Sequence, residues 1–144
     1  MSMSASIQLK KGKVKIPKGK DNYGDSYPYI ADFLAKTAQK LGVDSPKSFE
    51  FEDPAFYDEV FPPDELPPGV RRRLKTQKEW HPASSGLRTF SALLEHFGKR
   101  EPRVEAALLK QNTSSDVLIY ELEIFVSILH HAAKSKNMFR IIAA

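Results

Sequence analysis

Residues 115–134 read Ser-Asp-Val-Leu-Ile-Tyr-Glu-Leu-Glu-Ile-Phe-Val-Ser-Ile-Leu-His-His-Ala-Ala-Lys, and this stretch decides the fold. At 100° per residue, Leu118, Leu122, Phe125, Leu129 and Ala132 form a central apolar stripe. Ile119, Ile124, Val126 and Ile128 widen it to about 220° of arc, so the predicted helix is covered on more than one side and becomes the central packing element. Glu121, Glu123, His130 and His131 interrupt the greasy run 117–133, which argues against a membrane span. Glu121 breaks the pattern most sharply, because it falls between Ile128 and Ala132 inside the apolar arc. An unpaired buried carboxylate is costly and its pKa rises. Glu121 is therefore expected to pair with an arginine or lysine, or to reach water at the edge of the stripe. The functional alternative is an acid/base group in a cleft.

Working outward, two further helices are predicted. The first spans about 28–41: Ser26 can cap it, Pro28 suits its first turn and Gly42 stops it. The second spans about 82–97, with Ala83, Gly86, Leu87, Phe90, Leu93, Leu94 and Phe97 within about 120° of arc. Gly86 either admits a close neighbour in that stripe or belongs to the entry turn of the helix. The run Val104–Leu109 reads as a turn or two of helix. Short strands are predicted at about 5–10, 13–17, 47–52 and 138–143 from alternating apolar residues, the first two joined as a hairpin at Lys11–Gly12. The expected fold class is α+β: three main helices packed on a short, mostly antiparallel sheet.

The chain has 144 residues, 41% hydrophobic and 28% charged, which fits one domain over 1–144. Zero cysteines exclude a disulfide scaffold, thiol catalysis and cysteine-ligated metal. The first twenty residues hold six lysines and no apolar run of signal-peptide length, so a cytoplasmic location is expected. Net charge is +4, unevenly spread. Lys10, Lys11, Lys13, Lys15, Lys18 and Lys20 make the N-terminal hairpin basic. Between Phe49 and Gly69 seven carboxylates stand without one lysine or arginine, and Arg71, Arg72, Arg73 and Lys75 follow at once. Pro54, Pro62, Pro63, Pro67 and Pro68 punctuate the acidic stretch, so 53–69 reads as an ordered surface excursion anchored by Phe56, Tyr57 and Phe61.

The segment Glu79-Trp80-His81-Pro82-Ala83-Ser84-Ser85-Gly86-Leu87-Arg88-Thr89, followed by Ala92-Leu93-Leu94, resembles a loose group of small uncharacterised bacterial proteins. These show a W-x-x-P-A-x-x-G-L-x-T-x-x-x-L-L pattern opening a helix; here one residue separates Trp80 from Pro82. The resemblance covers roughly the C-terminal half and, more weakly, Leu41-Gly42-Val43. It implies a following helix and a terminal apolar strand, which look like Leu118 to Ile142. Ser84 and Ser85 stand where that pattern commonly has acidic residues, and the resemblance carries no activity.

Chemistry-bearing motifs are sparse. The seven glycines match no phosphate-binding loop. Adjacent His130 and His131 point about 100° apart on a helix and fall short of a metal ligand set. Trp80 reads as a lid over a helix start and His81 as a capping or turn residue; Ser84 and Ser85 read equally as caps or as part of an anion-binding helix start. No catalytic, cofactor or metal residue is assigned. The reading that remains is a non-enzymatic protein-binding module, antitoxin- or immunity-like by size and charge. Its surface would be Phe56, Tyr57, Asp58, Glu59, Phe61, Asp64 and Glu65, facing a basic partner protein. One alternative is nucleic-acid binding through the basic N-terminal strands and Arg71–Arg73, against which stands the lack of any helix with a basic stripe. Another is an enzyme with a site near Glu121 and His130. A homodimer is a further expectation, if the broad face of 115–134 completes its burial against a second copy.

Overall fold

Alternation of Phe139 and Ile141 with Arg140 and Ile142 makes the C-terminal segment a strand, and it forms the centre of the sheet. The computed structural model describes residues 4–16, 23–54 and 65–143. Its strands are β1 (Ala5–Leu9), β2 (His81–Pro82) and β3 (Met138–Ala143). Its helices are α1 (Tyr27–Leu41), α2 (Pro68–Thr76), α3 (Ala83–Gly98), α4 (Pro102–Lys110) and α5 (Ser115–Lys134), with a 3-10 turn at Pro46–Phe49. The α+β class holds, with five helices among the described residues in place of three. The sheet order is β1-β3-β2 and both pairings are antiparallel. Ile7 lies opposite Ile141 and Leu9 opposite Phe139. Ala5, Ile7, Phe139 and Ile141 are buried on the inner face, whereas Ser6 and Gln8 are exposed on the outer one.

The predicted hairpin does not form. β1 gives one edge to β3, and Tyr23 and Gly24 take the other: the Ala5 N–H donates to the Gly24 carbonyl at 2.8 Å and the Ile7 N–H to the Tyr23 hydroxyl at 3.0 Å. A β-carbon on Gly24 would lie 1.8 Å from the Ala5 carbonyl oxygen, so only glycine allows this approach. Residues 13–16 carry no strand, although Val14 and Ile16 still pack against the core; position 17 lies outside the described residues. The strand expected at 47–52 is also replaced. Pro46 opens the 3-10 turn, with the Ser45 hydroxyl accepting the Lys47 N–H at 3.2 Å. The chain then meets the sheet at one parallel rung, Glu50 beside Ile141, where the Phe51 N–H donates to the Ile141 carbonyl at 2.9 Å.

Three helices form within a residue or so of their predicted ends. Gly42 closes α1 at φ +74°, its N–H turned back to the Ala38 and Gln39 carbonyls. Ser114 caps α5 by accepting the Val117 N–H at 3.2 Å. α3 and α5 make the most extensive contact between elements, and Phe90 of α3 meets Phe125 of α5 edge-to-face at 5.0 Å. Phe90, Leu93, Phe97, Leu122, Phe125, Leu129 and Phe139 are each less than 2% exposed. Side chains of this kind contribute about 2 kcal/mol apiece relative to exposure. Leu118, Leu122, Ile124, Phe125, Ile128, Leu129 and Ala132 of α5 are thus buried within one chain, while Ile119 and Val126 are half-buried. No helix among the described residues is long and apolar enough to cross a membrane.

Candidate functional site

Of the seven residues proposed as a recognition surface, Phe56, Tyr57, Asp58, Glu59, Phe61 and Asp64 lie outside the described residues. Glu65 is described and exposed, just ahead of α2. Glu52, immediately before the acidic segment, is held in a neck by Gln77 and Arg73. The Glu52 N–H donates to Gln77 Oε1 at 3.0 Å, and Gln77 Nε2 donates back to the Glu52 carbonyl at 2.5 Å. Arg73 of α2 pairs with the Glu52 carboxylate at 2.8 Å. Immediately before, Phe51 lies 4.3 Å from the Arg140 guanidinium, and Trp80 lies 4.5 Å from it. Arg140 also donates to Gln8 at 2.8 Å and pairs with Glu79 at 3.0 Å. Trp80 therefore covers an arginine on the outer sheet face.

α2 was not foreseen. Its only buried residue is Leu74, with Val70 half-buried one turn earlier, so the apolar period is too short to stand out in the sequence. Arg71, Arg72 and Lys75 are exposed within about 100° of arc, while Arg73 turns to the neck. A basic helix face exists after all.

A concavity of about 430 Å³ beside the neck is lined by Lys47, Glu50, Glu52, Arg73, Gln77 and Lys78, among others. Its charges are largely paired internally: Lys47 with Asp32 at 2.6 Å, Arg73 with Glu52. Burial raises the Glu50 carboxyl above the ordinary carboxylate range. Burial, reinforced by the neighbouring Glu50 charge, holds the Tyr27 hydroxyl neutral far beyond ordinary pH.

Glu121 is 4% exposed, and among the described residues no arginine or lysine pairs with it. Its Oε1 accepts the backbone N–H of Ser26 at 2.9 Å, so a carboxylate from α5 caps the start of α1. The Ser26 hydroxyl makes no cap bond. Oε2 is buried and has no hydrogen-bond partner of good geometry among the described residues. Burial raises the Glu121 carboxyl, opposed by the Ser26 polar groups and the Asp25 backbone and assisted by the Asp25 charge. A shallow groove of about 400 Å³ adjoins it.

His130 and His131 are exposed in the last turns of α5. Nine residues, about 13 Å along the axis, separate His130 from Glu121, so the two share no site. His81 belongs to β2 and packs edge-on against Phe49 at 5.3 Å. Burial and then the Lys78 charge depress its pKa, favouring the neutral ring. No side chain caps α3, so Ser84 and Ser85 are not its caps. Among the described residues no group of three or more histidines, cysteines and carboxylates is placed to hold a metal ion.

Comparison of the chain with protein-family models, with curated proteins and with solved structures finds no match.

Proposed function

We propose that this protein is a non-enzymatic binding module whose partner is a basic protein. The acidic segment 53–66, with Phe56, Tyr57 and Phe61 as anchors, is the recognition surface in this reading. The observation that supports it is the clamped neck. Gln77 makes two bonds to the Glu52 backbone and Arg73 holds the Glu52 side chain. A fixed base lowers the ordering cost of any contact made beyond it. The segment carries five carboxylates and no cation, which steers a positively charged partner. The test is recovery of partners from the source lysate by wild type and by Phe56→Ala/Phe61→Ala. A partner lost by the double variant, and released by rising salt, supports the reading. Equal recovery of every partner by both forms overturns it.

A second reading, nucleic-acid binding, gains from the basic face of α2. Arg71, Arg72 and Lys75 sit where phosphates could be met. A shift assay on a 20-nucleotide single strand, titrated with salt, discriminates. A steep salt slope that flattens in Arg72→Glu/Lys75→Glu favours this reading over the first.

A further inference from the structure

β2 gives the sheet its shortest pairing. His81 lies opposite Phe139 and Pro82 opposite Met138, and Pro82 brings no N–H to the ladder. The His81 ring seats this strand, edge-on to Phe49 at 5.3 Å and tilted against Phe139 at 6.4 Å. Its Nε2 is buried and has no hydrogen-bond partner among the described residues. One carbonyl, that of Lys78, approaches the ring. An imidazolium has two N–H donors to satisfy, so a proton gained at Nε2 meets no acceptor among the described residues.

The charges around the ring act in the same direction. From the run before β2, the Lys78 ammonium repels a charged imidazole. α3 starts at Ala83 with no carboxylate in its first turn, and a helix N-terminus also disfavours a cation. From the 3-10 turn, Lys47 and Glu50 line the neighbouring concavity together with Lys78, and burial raises the Glu50 carboxyl, which weakens its negative charge. From β3, Arg140 lies on the opposite sheet face, paired with Glu79.

His81 also stands in a connected stretch. Trp80, just before it, rests on Arg140 at 4.5 Å, and Gln77 holds the Glu52 backbone by two bonds. We propose that His81 is an acid-sensitive latch: neutral, it seats β2 on β3; protonated, it leaves the Phe49 and Phe139 rings, β2 separates from β3, and Trp80 and Gln77 loosen with it. The closed form holds the proton less tightly than the open one, so falling pH shifts the balance toward open. The latch concerns the neck and not what binds beyond it, so it is independent of the function proposed above.

Trp80 is the only tryptophan, so its emission reads the latch directly. The Ala83 N–H, which donates to the Asn137 carbonyl at 3.0 Å, and the Glu52 N–H report the β2 seam and the neck by amide exchange. Between pH 7.5 and 5.0 the emission should shift to the red, and protection at both amides should fall severalfold. Both changes should share the midpoint of the His81 ring titration followed by NMR, with the helical circular dichroism unchanged. His81→Phe keeps an aromatic ring that takes no proton, and should hold emission and protection flat over this range. A wild type flat over this range, a loss of helical signal at the same midpoint, or a folded His81→Phe that still responds overturns the latch. Should that variant fold poorly, the wild-type ring decides. His81 taking its proton at or above the ordinary imidazole value of about 6.5, or taking it with no change at Trp80, also overturns the latch.

Discussion

A β-carbon built on Gly86 would lie 2.3 Å from Cζ of Phe139, so α3 and β3 meet through a gap that only a missing side chain leaves. Gly86 is an interior residue of α3 and belongs to no entry turn. Phe139 is 0% exposed and its ring packs on Phe49 at 5.1 Å. Gly86→Ala gains up to about 1 kcal/mol of helix propensity, but overpacking of a full core costs about 1–3 kcal/mol. The expected net change is a loss of stability in urea unfolding. A variant as stable as wild type would show that the ring moves freely.

Glu121 separates two roles of a carboxylate. Glu121→Ala removes the acceptor for the Ser26 N–H and should cost about 1–2 kcal/mol. Glu121→Gln keeps an acceptor and should cost less. The sign with pH follows from the raised folded-state pKa. The folded protein holds that proton more tightly than the unfolded chain, so ionisation of Glu121 weakens the fold as pH rises through its folded pKa. The glutamine variant lacks this loss. Its stability relative to wild type should therefore be greater at neutral pH than at pH 4.5, measured by urea midpoints at both. A constant difference would refute the assignment.

Arg140 lies between two aromatic rings, and charge alone does not explain its place. Arg140→Lys keeps the positive charge but loses the flat stacking surface and the fork shared between Gln8 and Glu79. It should cost about 1–2 kcal/mol. Trp80 is the only tryptophan, so emission of the folded variant reports this layer directly. A red shift is expected, and unchanged emission together with unchanged stability would show that the stack is incidental.

Tyr23 closes the outer edge of β1 with its hydroxyl. Tyr23→Phe leaves the buried Ile7 N–H without an acceptor and should cost about 1–2 kcal/mol. Amide exchange at Ile7 should quicken while Gln8, on the alternate side of the strand, changes less. Equal protection at both positions in the variant would argue that another group takes over.

The long helices were readable because a 3.6-residue apolar period persists over four or more turns and is bracketed by Pro28, Gly42 and Ser114. The burial of Glu121 was readable from the same wheel, but its partner was not. Ser26 stands 95 residues away, and nothing local marks a backbone amide as the group a side chain will cap. α2 escaped notice for a different reason. With Leu74 its only buried side chain, the helix has almost no apolar period to display.

The α+β class, the three long helices, the C-terminal strand and the segregation of charge follow from local sequence, since each depends on neighbours within one or two turns. Tertiary structure alone decided which strand pairs with which. Alternation makes residues 5–9 a strand, but β-pairing is chosen by long-range competition for an edge. β3 holds that edge with Phe139 and Ile141 fully buried, whereas Val14 and Ile16 are only partly buried against the core. The same long-range packing set Glu121 against α1 and Arg140 between Phe51 and Trp80, contacts that no run of adjacent residues encodes.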